Sequence, residues 1–278
     1  MLLMQNNATE IQISGIQATL PVNLGDGVTI GGTNIIMMAG PCAVENYEQV
    51  RITAKAIVTS GGRVLRGGAY KPRTSPKSFQ GLGIEGLEIL RSVANEFGLL
   101  VITEALSVEH VAVVAKFADI IQIGSRNMQH YPLLWQVGEL DKPVLLKRGF
   151  MSTIDEWLSA AEHIASRGNQ RIVLCERGIR TFETATRNTL DSNAIALVKQ
   201  ISPYPVIADP SHATGRRDLV LPAARSAIAA GADGLLVEFH PSPDDALSDG
   251  PQSLPVSALP KFYQEVRLVA AAVRRELV

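Results

Sequence analysis

GLLVITEALSVEHVAVVAKFADIIQIGSRNMQHYPLLWQVGELDKPVLLK, the stretch from Gly98 to Lys147, contains three short apolar runs rich in β-branched residues, Leu99–Glu104, Ile120–Gly124 and Pro143–Lys147. Amphipathic segments beginning near Val108 and Gln129 separate them. Runs that are apolar at nearly every position suit parallel strands buried on both faces, and the segments between them suit crossover helices. Working outward, the same unit recurs. Strands are expected at Ile35–Ala39, Arg63–Arg66, Arg171–Glu176, Pro205–Asp209 and Gly234–Glu238, and helices from near Glu45, Glu85, Thr153, Asn188, Leu221 and Val256. Thr153 and Glu156 have capping-box spacing at the fifth helix, and Gly98, Gly168 and Gly231 stand between a helix and the next strand, where a C-cap needs positive φ. Eight such units predict an α/β fold, a (β/α)8 TIM barrel; a doubly wound sheet is the alternative, but seldom has eight consecutive units of this regularity. Residues 1–33 are read as an extension with a short β-hairpin, in which Ile11–Leu20 and Val28–Ile30 flank a Gly25-Asp26-Gly27 turn and cap the barrel's N-terminal end. Residues 34–278 are read as the catalytic barrel.

A chain of 278 residues, 46% hydrophobic and 19% charged, can bury one large core. Its formal net charge of −1 provides no global field for a polyanion, so nucleic acid is not an expected partner and any phosphate chemistry must come from local cations. Two cysteines in this length do not make a disulfide scaffold. No basic, apolar leader and no run of about 18 apolar residues is present, so a cytoplasmic protein without a signal peptide or membrane span is expected.

In a barrel the active site forms where strands end, and there the residues turn polar: Cys42, Arg66, Glu104, Arg126, Lys147, Arg177, His212 and Glu238. Each alone would be packing or a solvated strand end, but eight at one end of eight strands argue for a site. Cys42, His212 and Glu238, with Asp249 as a fourth candidate, offer thiolate, imidazole and carboxylate donors suited to one divalent metal ion such as Mn, Fe, Co or Zn. Arg66, Lys71, Arg73, Arg126, Lys147 and Arg177 offer a cationic lining for a small substrate with several negative charges. Gly81, Gly83 and Gly86 satisfy G-x-G-x-x-G but follow a polar loop, so they are read as a turn into the second helix. Cys175, His110, His130 and His163 are read as packing or surface residues.

Specific motifs support a resemblance. Ala39-Gly40-Pro41-Cys42, the run from Arg66 to Pro76, Lys147-Arg148-Gly149, Cys175-Glu176-Arg177-Gly178, the run from Asp209 to Gly215 and the run from Ala246 to Ser253 resemble the 3-deoxy-D-arabino-heptulosonate 7-phosphate (DAHP) synthases of the short bacterial type. That family shares a superfamily with the 3-deoxy-octulosonate 8-phosphate synthases. The resemblance implies condensation of phosphoenolpyruvate with erythrose 4-phosphate, with metal ligands at Cys42, His212, Glu238 and Asp249. It also implies phosphoenolpyruvate on Arg66, Lys71, Arg126, Lys147 and Arg177, and erythrose 4-phosphate on Pro72, Arg73, Thr74 and Ser75. Lys71, Glu104 and His212 would be catalytic, and a homo-oligomer, dimer or tetramer, is expected. Ser125 and Phe239 depart from the family pattern only beside the site. The rival readings are an octulosonate synthase acting on arabinose 5-phosphate and a non-catalytic sugar-phosphate-binding barrel; phosphate release would separate them. With residues 1–33 alone ahead of the first strand, insensitivity to feedback by aromatic amino acids is expected.

Overall fold

The computed structural model describes residues 19–72 and 75–278. Its barrel strands are β1 (Asn34–Gly40), β2 (Val64–Arg66), β3 (Leu100–Glu104), β4 (Ile120–Ile123), β5 (Val144–Lys147), β6 (Ile172–Glu176), β7 (Val206–Ala208) and β8 (Gly234–His240). Each pairs in parallel with the next, and β8 returns to β1 with Gly234 opposite Ile36 and Glu238 opposite Gly40. This is a closed (β/α)8 TIM barrel. The intervening helices are α1 (Tyr47–Thr59), α2 (Ile84–Phe97), α3 (Val108–Phe117), α4 (Tyr131–Gly138), α5 (Ile154–Ala165), α6 (Ser192–Ile201), α7 (Arg217–Ala229) and α8 (Leu259–Ala272).

Local chemistry sets the helix ends. Thr153 and Glu156 form the expected capping box on α5, Asn46 caps α1 through Gln49 N–H at 2.9 Å, and Gly98 ends α2 at φ 63°. Two starts differ from the sequence reading. The sixth helix begins at Ser192 rather than near Asn188, because Asp191 accepts the Ala194 N–H as its cap while Thr189 is bridged to Ile179. The seventh begins at Arg217 rather than near Leu221, so Pro222 lies inside it and leaves the Asp218 carbonyl without its helical donor. A five-residue helix, Pro210–Thr214, follows β7 and has no counterpart in the sequence reading.

Along the strands, alternate residues face the helices and the barrel axis. Ile35, Met37, Leu65, Val101, Ile121, Leu146, Leu174 and Leu235 join the layer packed by the helices. Ile36, Met38, Val64, Leu100, Ile102, Ile120, Leu145, Val173, Cys175, Ile207 and Leu236 fill the interior. The hairpin strands Val22–Gly25 and Val28–Ile30 pair antiparallel and add Val22, Leu24, Val28 and Ile30 to this interior cluster. Burying Leu24 and Ile30 contributes roughly 1.5–3 kcal/mol each. The expected first arm, Ile11–Leu20, falls mostly outside the described residues; the arm that pairs starts after Pro21, which has no N–H to give a ladder. Two residues further along the interior-facing series, the apolar filling gives way to Arg66, Glu104, Gln122, Lys147, Arg177, Asp209 and Glu238. One period of alternation therefore builds both the core and the polar layer above it.

Candidate active site

Gly40 ends β1 where a Cβ would lie 2.0 Å from the Arg66 carbonyl oxygen, so the close approach of β1 and β2 that places Cys42 beside the barrel mouth requires glycine. Asp209 then organises the seventh strand end. It caps the short helix by accepting His212 N–H at 2.9 Å, and its Oδ2 lies 2.6 Å from Lys147 Nζ and 2.7 Å from His212 Nδ1. Burial opposes its charge, but His212 and Lys147 hold its carboxyl well below the ordinary range. Burial, against the pull of Asp209 and Glu238, lowers the His212 pKa. In the tautomer that donates Nδ1–H to Asp209, the Nε2 lone pair turns inward.

That lone pair meets three other donors. Cys42 Sγ, His212, Glu238 and Asp249 each bring one ligand atom into a group whose members lie within 4.8 Å of one another. Cys42 Sγ is 3.2 Å from Asp249 Oδ2, and His212 Nε2 is 3.4 Å from Glu238 Oε1 and 3.8 Å from Asp249 Oδ2. Ligands bound at 2.0–2.3 Å in a tetrahedron stand roughly 3.3–3.8 Å apart, so the donors fit one divalent ion. Burial and then Glu238 push the Cys42 thiol up to about 12, and a cation among these donors is what would let it ionise. Arg66, 4% exposed, donates to Glu238 Oε1 at 3.0 Å and to the Pro41 carbonyl.

Beside the donors opens a cavity of about 180 Å³. Lys71, Pro72, Glu104, Arg126, Lys147 and Arg177 line it, with His212 and Asp249 on the donor side. Lys71 Nζ lies 3.0 Å from both Cys42 Sγ and the Cys42 carbonyl oxygen. Burial would discharge this ammonium, but Cys42 and Glu238 outweigh it and raise its pKa. Arg126, Arg177 and Arg180 place their guanidinium carbons 5.5, 4.7 and 4.9 Å from the Phe150 ring centroid. Arg177 is 3% exposed and its NH1 has no partner among the described residues, leaving N–H groups for an anion. Glu104 Oε2 accepts from Gln122 Nε2 at 2.9 Å.

Not every residue expected at the site reaches this cavity. Arg66 pairs with Glu238 and is not on the lining, Ser75 is exposed and Ser78 lines the cavity instead, and Arg73 and Thr74 lie outside the described residues. Sequence reasoning missed Asp209, Phe150 and Arg187, which lines the cavity and pairs with Asp249. Of the residues read as non-functional, Cys175 is fully buried, His110 stacks on Tyr70 at 4.1 Å, and His163 accepts from Trp135 Nε1 at 3.1 Å. Arg148 is committed to Glu176 and Asp191, both at 2.9 Å, tying the ends of β5 and β6 to the start of α6. No helix among the described residues is long and apolar enough to cross a membrane.

Comparison with known proteins places this geometry. The model of the DAHP synthetase I family matches residues 11–274. A phospho-2-dehydro-3-deoxyheptonate aldolase of Thermotoga maritima is 55% identical over 252 residues, 91% of this chain and 74% of that protein. A 2-dehydro-3-deoxyphosphooctonate aldolase of Geobacter sulfurreducens is 31% identical over 277 residues, covering 92% of this chain and 100% of that protein. Among solved structures, the crystal structure of the Thermotoga maritima DAHP synthase matches with a TM-score of 0.91 at 53% identity, covering 94% of this chain and 76% of that one. A truncated form of the Thermotoga maritima 3-deoxy-D-arabino-heptulosonate 7-phosphate synthase matches with a TM-score of 0.87 at 49% identity, covering 94% and 95%.

Proposed function

Because the chain belongs to the DAHP synthetase I family, we propose a division of labour at its barrel mouth in which the four donors hold a divalent ion and the neighbouring cations hold phosphoenolpyruvate. The protein is a 3-deoxy-7-phosphoheptulonate synthase, a transferase of the shikimate pathway to the aromatic amino acids. It joins phosphoenolpyruvate, erythrose 4-phosphate and water to give DAHP and inorganic phosphate. The observation that carries the site assignment is the four-donor group opening onto a cavity lined by cations.

Arg126, Lys147 and Arg177 take the phosphate and carboxylate of phosphoenolpyruvate, whose bidentate oxygens match guanidinium forks. Packing on Phe150 fixes two of those forks before substrate arrives, so less side-chain freedom is lost on binding. Arg66 completes the set through its pairing with Glu238. Pro72 and the Arg73-Thr74-Ser75 run receive the aldose phosphate. A divalent ion, of which Mn, Fe, Co and Zn all suit this mixed donor set, would supply Lewis-acid polarisation of the aldehyde carbonyl. C3 of phosphoenolpyruvate attacks that aldehyde carbon, and Lys71 delivers a proton to the oxygen as its charge grows. The positive charge left at C2 of the former enol is stabilised by Glu104. Water adds at C2 as Glu104 takes one of its protons, and the C–O bond to phosphate then breaks, the hydroxyl proton leaving with the phosphate, to give the 2-keto group. His212 has Nδ1 committed to Asp209 and Nε2 to the donor group, so proton transfer falls to Lys71 and Glu104. A cytoplasmic homo-oligomer is part of the same proposal.

The 31% identity to an octulosonate aldolase keeps arabinose 5-phosphate as the rival substrate. Pro72 on the cavity wall favours erythrose 4-phosphate, since proline adds no side-chain hydrogen bond for a further sugar hydroxyl. Phosphate release with each aldose, with and without chelator, tests the assignment. Equal or higher kcat/KM with arabinose 5-phosphate would overturn it, and Pro72→Asn is expected to shift the ratio toward the longer sugar.

A further inference from the structure

Both carboxylates of the donor group turn one oxygen into the group and the other away. Asp249 faces Cys42 Sγ and His212 Nε2 with Oδ2, while its Oδ1 accepts from Arg187 at 3.3 Å. Glu238 faces His212 Nε2 with Oε1, while its Oε2 accepts from Gln252 Nε2 at 2.6 Å. The same nitrogen of Arg187 donates to Gln252 Oε1 at 2.8 Å. The two outward oxygens are therefore joined by one unbroken run, Asp249 to Arg187 to Gln252 to Glu238.

We infer that Arg187 and Gln252 are positioning residues, a bracket that fixes how the Asp249 and Glu238 carboxylates present themselves to the divalent ion. The inference rests on reading the four donors as its ligands. A side-chain amide has an acceptor on one side and donors on the other, whereas a guanidinium only donates and a carboxylate only accepts. Arg187 on one side and Glu238 on the other leave the Gln252 amide a single satisfactory orientation. Reversal would set oxygen against oxygen at Glu238 and donor against donor at Arg187. Both members are anchored. Gln252 is 2% exposed and ends the helical turn Gly250–Gln252 that starts directly after Asp249, itself held at φ 54°. Arg187 donates its backbone N–H to the Thr214 carbonyl at 3.0 Å, on the short helix that carries His212. Outer partners of this kind orient metal ligands, and their loss typically weakens metal affinity by about 10–100-fold.

Equilibrium binding of Mn²⁺ and the absorption spectrum with Co²⁺, on the full chain stripped of metal, test the bracket. Gln252→Leu removes both amide bonds without changing charge; its Mn²⁺ affinity is expected to fall about 10–100-fold and its Co²⁺ bands to shift in position and intensity. Arg187→Lys keeps the charge but is one atom shorter, so its nitrogen falls short of the position from which both bonds are made, and it is expected to move both readouts the same way by a smaller factor. Arg187 is 37% exposed at its side chain, so this variant carries the test should Gln252→Leu misfold. Wild-type affinity and an unaltered Co²⁺ spectrum in the variants would overturn the bracket alone. A wild-type chain that binds neither ion would overturn the bracket and the metal assignment together, while phosphate release from the two substrates tests the enzymatic assignment separately.

Discussion

Asp209→Asn is the most telling single substitution. Asn keeps the size of the side chain and can still accept the His212 N–H with its amide oxygen, preserving the helix cap. Its NH2 then faces Lys147 Nζ and His212 Nδ1, which stand 2.6 and 2.7 Å from the original oxygen, so donors confront donors. Lys147 is 4% exposed and loses its ion-pair partner. Removing one member of a buried pair costs about 3–5 kcal/mol. The helix cap survives in the variant, so the lower end of that range, about 3 kcal/mol, is expected. For a chain of this size that is a fall of roughly 6–12 °C in Tm. The pH dependence has a definite sign. Asp209 is held below its unfolded value, so its stabilisation is complete above the ordinary 3.8 and is lost as pH falls further. The gap between wild type and variant should stay constant near neutrality and close only in acid. Thermal unfolding of both metal-free proteins across pH measures this. A Tm within about 2 °C of wild type at neutral pH, or a gap that closes on the alkaline side, would refute the reasoning.

Cys42→Ser and His212→Ala are each expected to abolish turnover, as is exhaustive chelation; phosphate release alongside metal analysis checks this, and turnover by metal-free protein contradicts it. Gly124→Ala places a Cβ 2.1 Å from Glu104 Oε1 and must displace that carboxylate, so kcat is expected to drop roughly 100-fold while circular dichroism is unchanged. Phe150→Ala frees the guanidinium groups that pack on its ring, and the KM for phosphoenolpyruvate is expected to rise about tenfold, or ~1.4 kcal/mol, in steady-state kinetics.

The barrel was legible because the apolar runs and their helical spacers each state their period locally, and strand boundaries such as Val144–Lys147 fall within a residue of expectation. Cys42, His212 and Glu238 were singled out for the same reason, since each stands at or just beyond a strand end, whereas Asp249, deep in the loop after β8, entered only as a fourth candidate. Asp209 and Gln122 could also have been found: extending the inward alternation from Ile207 and Ile120 by two positions reaches them. An aspartate before proline instead looks like a turn, and nothing local announces that it is completely buried beneath Lys147 and His212. Arg187 had no such signal. It sits in an aperiodic loop, and its contacts with Asp249 and Gln252 span 62 and 65 residues of chain. Arg66 was identified correctly as a strand-end cation, but its pairing with Glu238, 172 residues away, emerges only when the barrel closes.

Among the described residues, Val22, Leu24, Val28 and Ile30 stopper the strands' N-terminal end, and on the proposed site assignment reactants and products would share the opening above the polar layer. Inorganic phosphate released inside would then leave past the same arginines that admit the substrates. Such a chamber would carry product inhibition in its plan: rising phosphate would occupy the cations proposed for phosphoenolpyruvate, and flux would slow as the product pool fills.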